Sequence, residues 1–336
     1  MVTLKDIAKK ANVSVTTISK VVNHHDTSVC SEETQQLIWS LVAEMGYRTR
    51  RRNDRGAAAN AAPAYRMAYV IGMPNYALSG TYTYQIIQGI ETEAFKRGVS
   101  MVFTCMNLSL YSPRSLCDKL REMEVSAVIW VAGSEGKYFS MLKQHDIHVV
   151  VAGIEPDLIP DYIDYVGINF YADTLHWLRT AVFNRFADVG YIGPSSQARF
   201  EAYRDIHLLL GLTYREECLI DLDEYDVEQA KAAVTGLVKS GTKLPEVFFA
   251  ASDAIGIGAL NALQSMGIAV PGQVRVFGFD NIDMANYVSP GLTTIGVPAF
   301  QIGAHAVNAA LSKMKGERDY TLHHIFPTRF VERDSL

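Results

Sequence analysis

No stretch of this 336-residue chain approaches the ~20 consecutive apolar residues needed to cross a bilayer, and its start, MVTLKDIAKK, lacks the apolar segment of a secretory signal. Neither membrane insertion nor export is expected; a cytoplasmic protein is. Only four cysteines occur, Cys30, Cys105, Cys117 and Cys218, with no CxxC pair and no histidine at ligand spacing. They read as reduced packing residues. The pairs His24-His25 and His323-His324 have no cysteine or carboxylate at site spacing, so no metal is expected. Catalytic signatures are missing as well. There is no GxSxG, HExxH or P-loop, and Gly256-Ile257-Gly258 lies in a helix-forming run without the third glycine of a dinucleotide loop. Asp253 and Asp280 would make a glycosidase pair only if one were marked as a proton donor, and nothing marks one. Neither an enzyme nor a cofactor is expected.

What is present is a large apolar fraction, about half the residues, enough for two or three folded units. Charge is divided unevenly. Residues 1–56 carry nine Lys/Arg against six Asp/Glu, a balance of +3, whereas the remaining 22 basic and 30 acidic residues give −8. A basic end suits a polyanion and an acidic body does not, so the split predicts a nucleic-acid-binding head on a body with another task.

The head is written in Thr3–Asn23, TLKDIAKKANVSVTTISKVVN. Thr3 and Asp6 have the spacing of a capping box, and Ile7, Ala8 and Ala11 recur at helical spacing. Asn12 tolerates a left-handed backbone, Val13 plugs between helices, and Ser14 caps the next helix. On that second helix Ile18, Val21 and Val22 fall on one side, with Thr16, Ser19, Lys20 and Asn23 opposite. Such a small, donor-rich face fits the major groove, although the same pattern also suits an amphipathic helix pair in a larger core. Ser31 caps a third helix with Glu32 and Glu33 in its first turn and Leu37, Ile38, Leu41 and Met45 as its apolar stripe; Gly46 ends it. Residues 1–46 therefore read as a helix-turn-helix domain.

Residues 47–65 follow as a linker, YRTRRRNDRGAAANAAPAY, without apolar periodicity. Arg48, Arg50, Arg51, Arg52 and Arg55 form a basic arm for phosphates or a narrow minor groove, the alternative being a solvated charge run. From Arg66 onward, continuous apolar runs such as MAYVIGM, VSAVIWVAG, IHVVVAGI and VRVFGFD alternate with helical segments, one of them expected over Asp173–Phe186. That alternation predicts parallel sheets covered on both faces, and the number of strands is too large for one sheet, so two α/β lobes are expected. Ligands in such sheets sit beyond the carboxyl ends of the strands, where Asp253 and Asp280 stand. Either carboxylate suits paired hydroxyls; Asp253 also suits the cap of the helix near Ala254. Tyr82 and Tyr84, between the first strand and its helix, suit stacking on the apolar face of a ligand or ordinary packing.

The stretch TLKDIAKKANVSVTTISKVVN resembles the N-terminal signature of the LacI/GalR family of transcription regulators, and FFAASDAIGIGALNALQSMGIAVPGQVRVFGFDNIDMANYVSPGLTTI, residues 248–295, resembles a second family stretch. The resemblance covers essentially the whole chain. It implies a helix-turn-helix head followed by a two-lobed, periplasmic-binding-protein-like core over residues 66–332, with one lobe at about 66–167 and 297–317 and the other at about 168–294 and 318–332. Three crossings between lobes would then act as a hinge around a cleft.

The same resemblance implies that Val15, Thr16 and Lys20 read bases, while Ser14, Thr17, Ser19 and Asn23 hold the DNA backbone. It places an effector-binding arginine at Arg199, with Ala202 where the family motif has glycine, a stacking aromatic at Tyr225, and Asn169 where the family has Asp. Thr49-Arg50 replaces the usual Pro-Asn of the linker and Gly56 stands in place of its wedge leucine, so intercalation is not expected.

Together these readings describe a repressor of carbohydrate genes. Its partners would be a palindromic double-stranded DNA operator and a sugar or sugar phosphate. One small head contacts few bases, so a homodimer is expected, and without a heptad tail a dimer rather than a tetramer. An activator or corepressor-dependent regulator is the nearest alternative. A solute-binding transport protein or a sugar-processing enzyme is opposed by the head and the missing export signal.

Overall fold

The computed structural model describes residues 4–24, 29–45, 65–72, 82–133, 136–155 and 159–336. Contacts divide the chain into two compact units, Met1–Pro63 and Ala64–Leu336. Thr3, Gly46 and linker residues 47–64, with all five of their arginines, lie outside the described residues.

The first unit contains α1 (Leu4–Ala11), α2 (Val15–His24) and α3 (Glu32–Glu44). Each contributes one fully buried isoleucine, Ile7, Ile18 and Ile38, to a core completed by Ala8, Ala11, Val21 and Leu41. The turn between α1 and α2 forms as its residue types require. Asn12 takes a left-handed φ of 54°, and the Val13 N–H closes on the Ala8 carbonyl at 3.1 Å.

The second unit holds two six-stranded sheets. The first is built from β1 (Arg66–Ile71), β2 (Ser100–Cys105), β3 (Ala127–Val131), β4 (His148–Ala152), β5 (Asp164–Gly167) and β11 (His323–Ile325), in the order β11-β5-β4-β3-β1-β2, all parallel. Its helices are α4 (Tyr82–Arg97), α5 (Pro113–Glu122), α6 (Gly136–Gln144) and α11 (Ala299–Met314). The second sheet is built from β6 (Val189–Gly193), β7 (Leu219–Asp221), β8 (Val247–Ala250), β9 (Arg275–Asp280), β10 (Thr293–Gly296) and β12 (Arg329–Val331), in the order β12-β10-β9-β8-β6-β7. Only β12 runs antiparallel to its neighbour among the pairs of this sheet. With it go α7 (Phe170–Trp177), α8 (Ala198–Leu210), α9 (Val227–Lys239) and α10 (Asp253–Ser265). All residues of β3 and β8 are buried, as strands with helices on both faces require.

Two glycines bring α4 and α11 into backbone contact. A Cβ on Gly89 would stand 2.0 Å from the Phe300 carbonyl oxygen, and one on Gly303 would stand 1.9 Å from that of Ile86. Side chains at either position would push the helices apart.

Two expectations are corrected. Residues 318–332 do not go together to the second lobe: β11 pairs in parallel with β5 of the first sheet, so the chain makes its last crossing between Ile325 and Arg329. The helix expected over Asp173–Phe186 starts earlier and is interrupted. Asn169 caps it through Oδ1, which accepts the Ala172 N–H at 2.8 Å, and after Trp177 the backbone widens into a π turn over Leu178–Val182.

Candidate functional site

In the head, the Ser14 hydroxyl accepts the Thr17 N–H at 3.0 Å and lies 2.8 Å from the Thr17 hydroxyl, fixing the start of α2. Beyond this cap, Val15 is 40% exposed, Thr16 and Lys20 are exposed, and Ser19 is half-buried. Val15, Thr16, Ser19 and Lys20 thus line the side of α2 turned away from Ile18 and Val21. The Asn23 side chain is outside the described residues.

Between the lobes lies a cavity of about 270 Å³. Tyr82, Ile86, Val131 and Ile154 line it from the first lobe; Phe170, Arg199, Tyr225, Asp280 and Ile282 line it from the second. Arg199, the second residue of α8, is 7% exposed. Its Nη1 donates to the Ala251 carbonyl at 2.8 Å and its Nη2 to the Tyr225 hydroxyl at 2.7 Å. The guanidinium carbon is also 4.8 Å from the ring centroid of Phe170, 4.9 Å from that of Tyr225 and 5.1 Å from that of Phe279. Three aromatic faces therefore compensate a cation largely withdrawn from water. Its Nε is buried without a hydrogen-bond partner among the described residues.

Asp280 ends β9 at 8% exposure. Burial pushes its carboxyl up to about 7, with the Arg199 charge and a backbone hydrogen bond from Asp253 pulling the other way. Its backbone is strained: φ is 118° at Asp280 and 60° at Asn281, where side chains seldom go.

Asp253 supplies what holds that turn. Its carboxylate accepts the Ile282 N–H at 2.9 Å and the Thr294 hydroxyl at 2.5 Å, and the Asn281 N–H reaches the same hydroxyl at 3.3 Å. Asp253 is fully buried and is not part of the cavity wall. Nor does it cap α10: Ser252 does, accepting the Ile255 N–H at 3.2 Å. Both expectations for Asp253 are replaced by a positioning role for the turn that carries Asp280. Burial and the neighbouring Asp280 charge push the Asp253 carboxyl well above the usual range.

Two more expected residues lie elsewhere. Asn169 is exposed, its side-chain oxygen engaged at the start of α7, and it does not line the cavity. Tyr84 is 43% exposed: because α4 begins at Tyr82, a residue two places on projects to a different side of the helix. Residues the sequence reading missed are Phe170 and Phe279 beneath Arg199, and Glu155, whose Oε1 accepts the Ala198 N–H at 3.1 Å and so reaches from the first lobe to the start of α8. Among the described residues, no cluster of three or more His, Cys, Asp or Glu is placed to hold a metal, and no helix is long and apolar enough to cross a membrane.

Residues 3–50 match the lacI family of bacterial regulatory proteins, and residues 179–336 match the periplasmic binding protein-like domain. The chain joins a lacI-family helix-turn-helix head to a periplasmic-binding-protein-like domain. It is 28% identical to the HTH-type transcriptional repressor MelR of Bacillus subtilis (strain 168), across 100% of this chain and 97% of the relative. It is 26% identical to the transcriptional repressor PurR of Salmonella paratyphi B, again across 100% of this chain and 97% of the relative. Its fold resembles that of transcriptional regulator CelR in a cellobiose complex, with TM-score 0.69 and 23% identity over the whole of both chains. The lac repressor dimer bound to operator and an anti-inducer gives TM-score 0.70 and 19% identity, over 99% of this chain and 98% of that one. The lacI-family head and the periplasmic-binding-protein-like domain thus occur together in this chain.

Proposed function

We propose that this LacI-family chain is a cytoplasmic transcriptional repressor that binds a palindromic DNA operator as a homodimer and changes its operator affinity when a sugar-like effector enters the cavity. The observation that carries the reading is the presence, in one chain, of an exposed polar face on α2 and a cavity holding a buried Arg199 beside Asp280. Val15, Thr16 and Lys20 are assigned to base edges. Ser14, Thr17, Ser19 and Asn23 are assigned to the DNA backbone, and Arg48, Arg50, Arg51, Arg52 and Arg55 to phosphates beside the site.

Arg199, Tyr225, Tyr82 and Asp280 are assigned to the effector. A molecule that touches both lobes and binds one interlobe angle better than another shifts the equilibrium between them, by no more than that difference in affinity. Two heads joined to such cores would change their fit to a two-fold operator. The test is titration of purified protein into duplexes from its own genomic neighbourhood at low salt, with and without candidate sugars. A specific complex that a sugar weakens or strengthens is the expected result. Failure to bind any such duplex would overturn the reading.

A further inference from the structure

We infer that Glu155 is a latch between the lobes, holding them together over the cavity before any effector arrives; only its consequence for ligand affinity rests on the cavity being the effector site. Four helices of the second lobe start beside the cavity, and they are not built alike. Three carry their own cap: Asn169 Oδ1 accepts the Ala172 N–H, Asp226 Oδ1 the Gln229 N–H and Ser252 Oγ the Ile255 N–H. The fourth, α8, does not. Gln197 stands at its cap position and makes no side-chain capping bond. Ser195, two residues earlier, is drawn off to Asp221, its N–H 2.7 Å from one carboxylate oxygen and its hydroxyl 2.8 Å from the other.

The acceptor comes instead from the other lobe. Glu155, just beyond β4, takes the N–H of Ala198, the first residue of α8, on its Oε1 at 3.1 Å. A carboxylate there also meets the positive end of the α8 dipole. The bond lies away from the three crossings, which leave β5 after Gly167, β10 after Gly296 and β11 after Ile325, so it opposes rotation about them. Its footing is fixed from below. The Gly153 N–H donates to the Val166 carbonyl of β5 at 2.9 Å, and the buried Tyr165 hydroxyl stands 2.7 Å from the Ile154 carbonyl oxygen and 2.8 Å from that of Ile168. Ile168 lies on the first crossing, so one hydroxyl ties the base of the latch to the hinge.

Loss of a helix cap corresponds to roughly two- to thirtyfold in an equilibrium constant. A factor of that size turns an evenly divided equilibrium between open and closed lobes into a mostly closed one. An effector that touches both lobes binds in proportion to the closed fraction, so the latch raises its apparent affinity by the same route.

The test uses the full chain without ligand, with Cys30→Ser to remove the half-buried thiol. Spin labels at Arg114 and Glu228, both exposed and near the starts of α5 and α9, report the interlobe distance, because β2 and β7 form the sheet edges opposite β11 and β12. Excess unlabelled chain keeps the measured distances within one copy. Glu155→Ala should add a longer-distance population. Ala198→Pro should do the same from the other side: proline is favoured at the first position of a helix, and Gln197, at φ −109° and ψ 152°, already has the extended backbone required before it, so only the N–H is lost. The double variant should open no further than either single one, and Glu155→Gln, whose amide oxygen still accepts, should stay close to the parent. Any of glucose, galactose or fructose that binds the parent should bind Glu155→Ala about two- to thirtyfold more weakly. Parental distances in folded Glu155→Ala and Ala198→Pro would overturn the latch, and an unchanged sugar affinity in an opened variant would overturn its effect on binding. Opening in both variants, with none of the three sugars bound by any form, would support the latch and count instead against the sugar-effector reading.

Discussion

Arg199 donates from Nη2 to the Tyr225 hydroxyl at 2.7 Å, and this bond joins the start of α8 to the loop before α9 across the floor of the cavity. Tyr225→Phe removes the acceptor but keeps the ring over which the guanidinium lies. Effector affinity should fall about tenfold or more, with a loss of core stability of about 1.5–3 kcal/mol in urea unfolding, as for other hydrogen bonds to charged groups. Unchanged effector affinity in the folded variant would remove Tyr225 from the site.

Asp253 and Asp280 act at different levels and their variants should separate. Asp280→Asn should retain the fold and operator binding and lose the effector response. Asp253→Ala leaves the Ile282 N–H and Thr294 hydroxyl without their acceptor, so it should cost about 2–5 kcal/mol as well as the response. Unfolding curves measured beside effector titrations distinguish the two.

Core stability should depend on pH with opposite signs at two carboxylates. Asp280, held at about 7 chiefly by burial, binds its proton more tightly folded than unfolded, so its contribution declines as pH rises from about 4 through 7. Asp164 behaves in reverse. Burial alone would raise it, but His148, Arg318 and the Leu322 N–H bring it down to about 2, so its contribution is lost as pH falls from about 4 through 2. Asp280→Asn should reduce the upper limb of a stability-against-pH curve, to which the raised Asp253 carboxyl also contributes, and leave the lower one. Arg318→Met should cost about 3–5 kcal/mol at neutral pH, because Asp164 then keeps its burial without its main cation.

Glycine-to-alanine changes should divide by position. Gly89→Ala and Gly303→Ala each place a Cβ against a carbonyl oxygen of the facing helix and should destabilise by about 1–3 kcal/mol despite better helix propensity. Gly236→Ala in α9 meets nothing within 4 Å and should stabilise by up to about 1 kcal/mol. Thermal unfolding of the three variants settles the comparison.

Lys20 is exposed on α2 and assigned to a base edge, so Lys20→Ala should weaken operator binding chiefly at one base position and relax specificity there. A uniform loss across sequences, with the slope of log K against log salt reduced by about one, would place Lys20 on a phosphate and overturn that assignment.

The head was legible in the sequence because its determinants are local: a left-handed Asn12, a capping Ser14 and isoleucines at helical spacing fix one another within a few residues. Arg199 and Asp280 were legible as residues at element ends. Asp253 was not, since its partner Thr294 stands 41 residues away and reaches it only when β10 joins β9. Tyr82 and Tyr84 differ through the helical phase of α4, which begins at Tyr82 and so takes in both tyrosines that the sequence placed before the helix. The placement of β11 was hidden for another reason: three residues with alternating exposure carry no periodic signal, and the pairing with β5 is made by Asp164, whose carboxylate accepts the Leu322 N–H at 2.8 Å and pairs with Arg318.

His323–Ile325 and Arg329–Val331 give outer strands to opposite sheets from a stretch of nine residues. Both lobes therefore take their last strand from one late segment, so a chain truncated before residue 323 would lack an outer strand in each sheet at once.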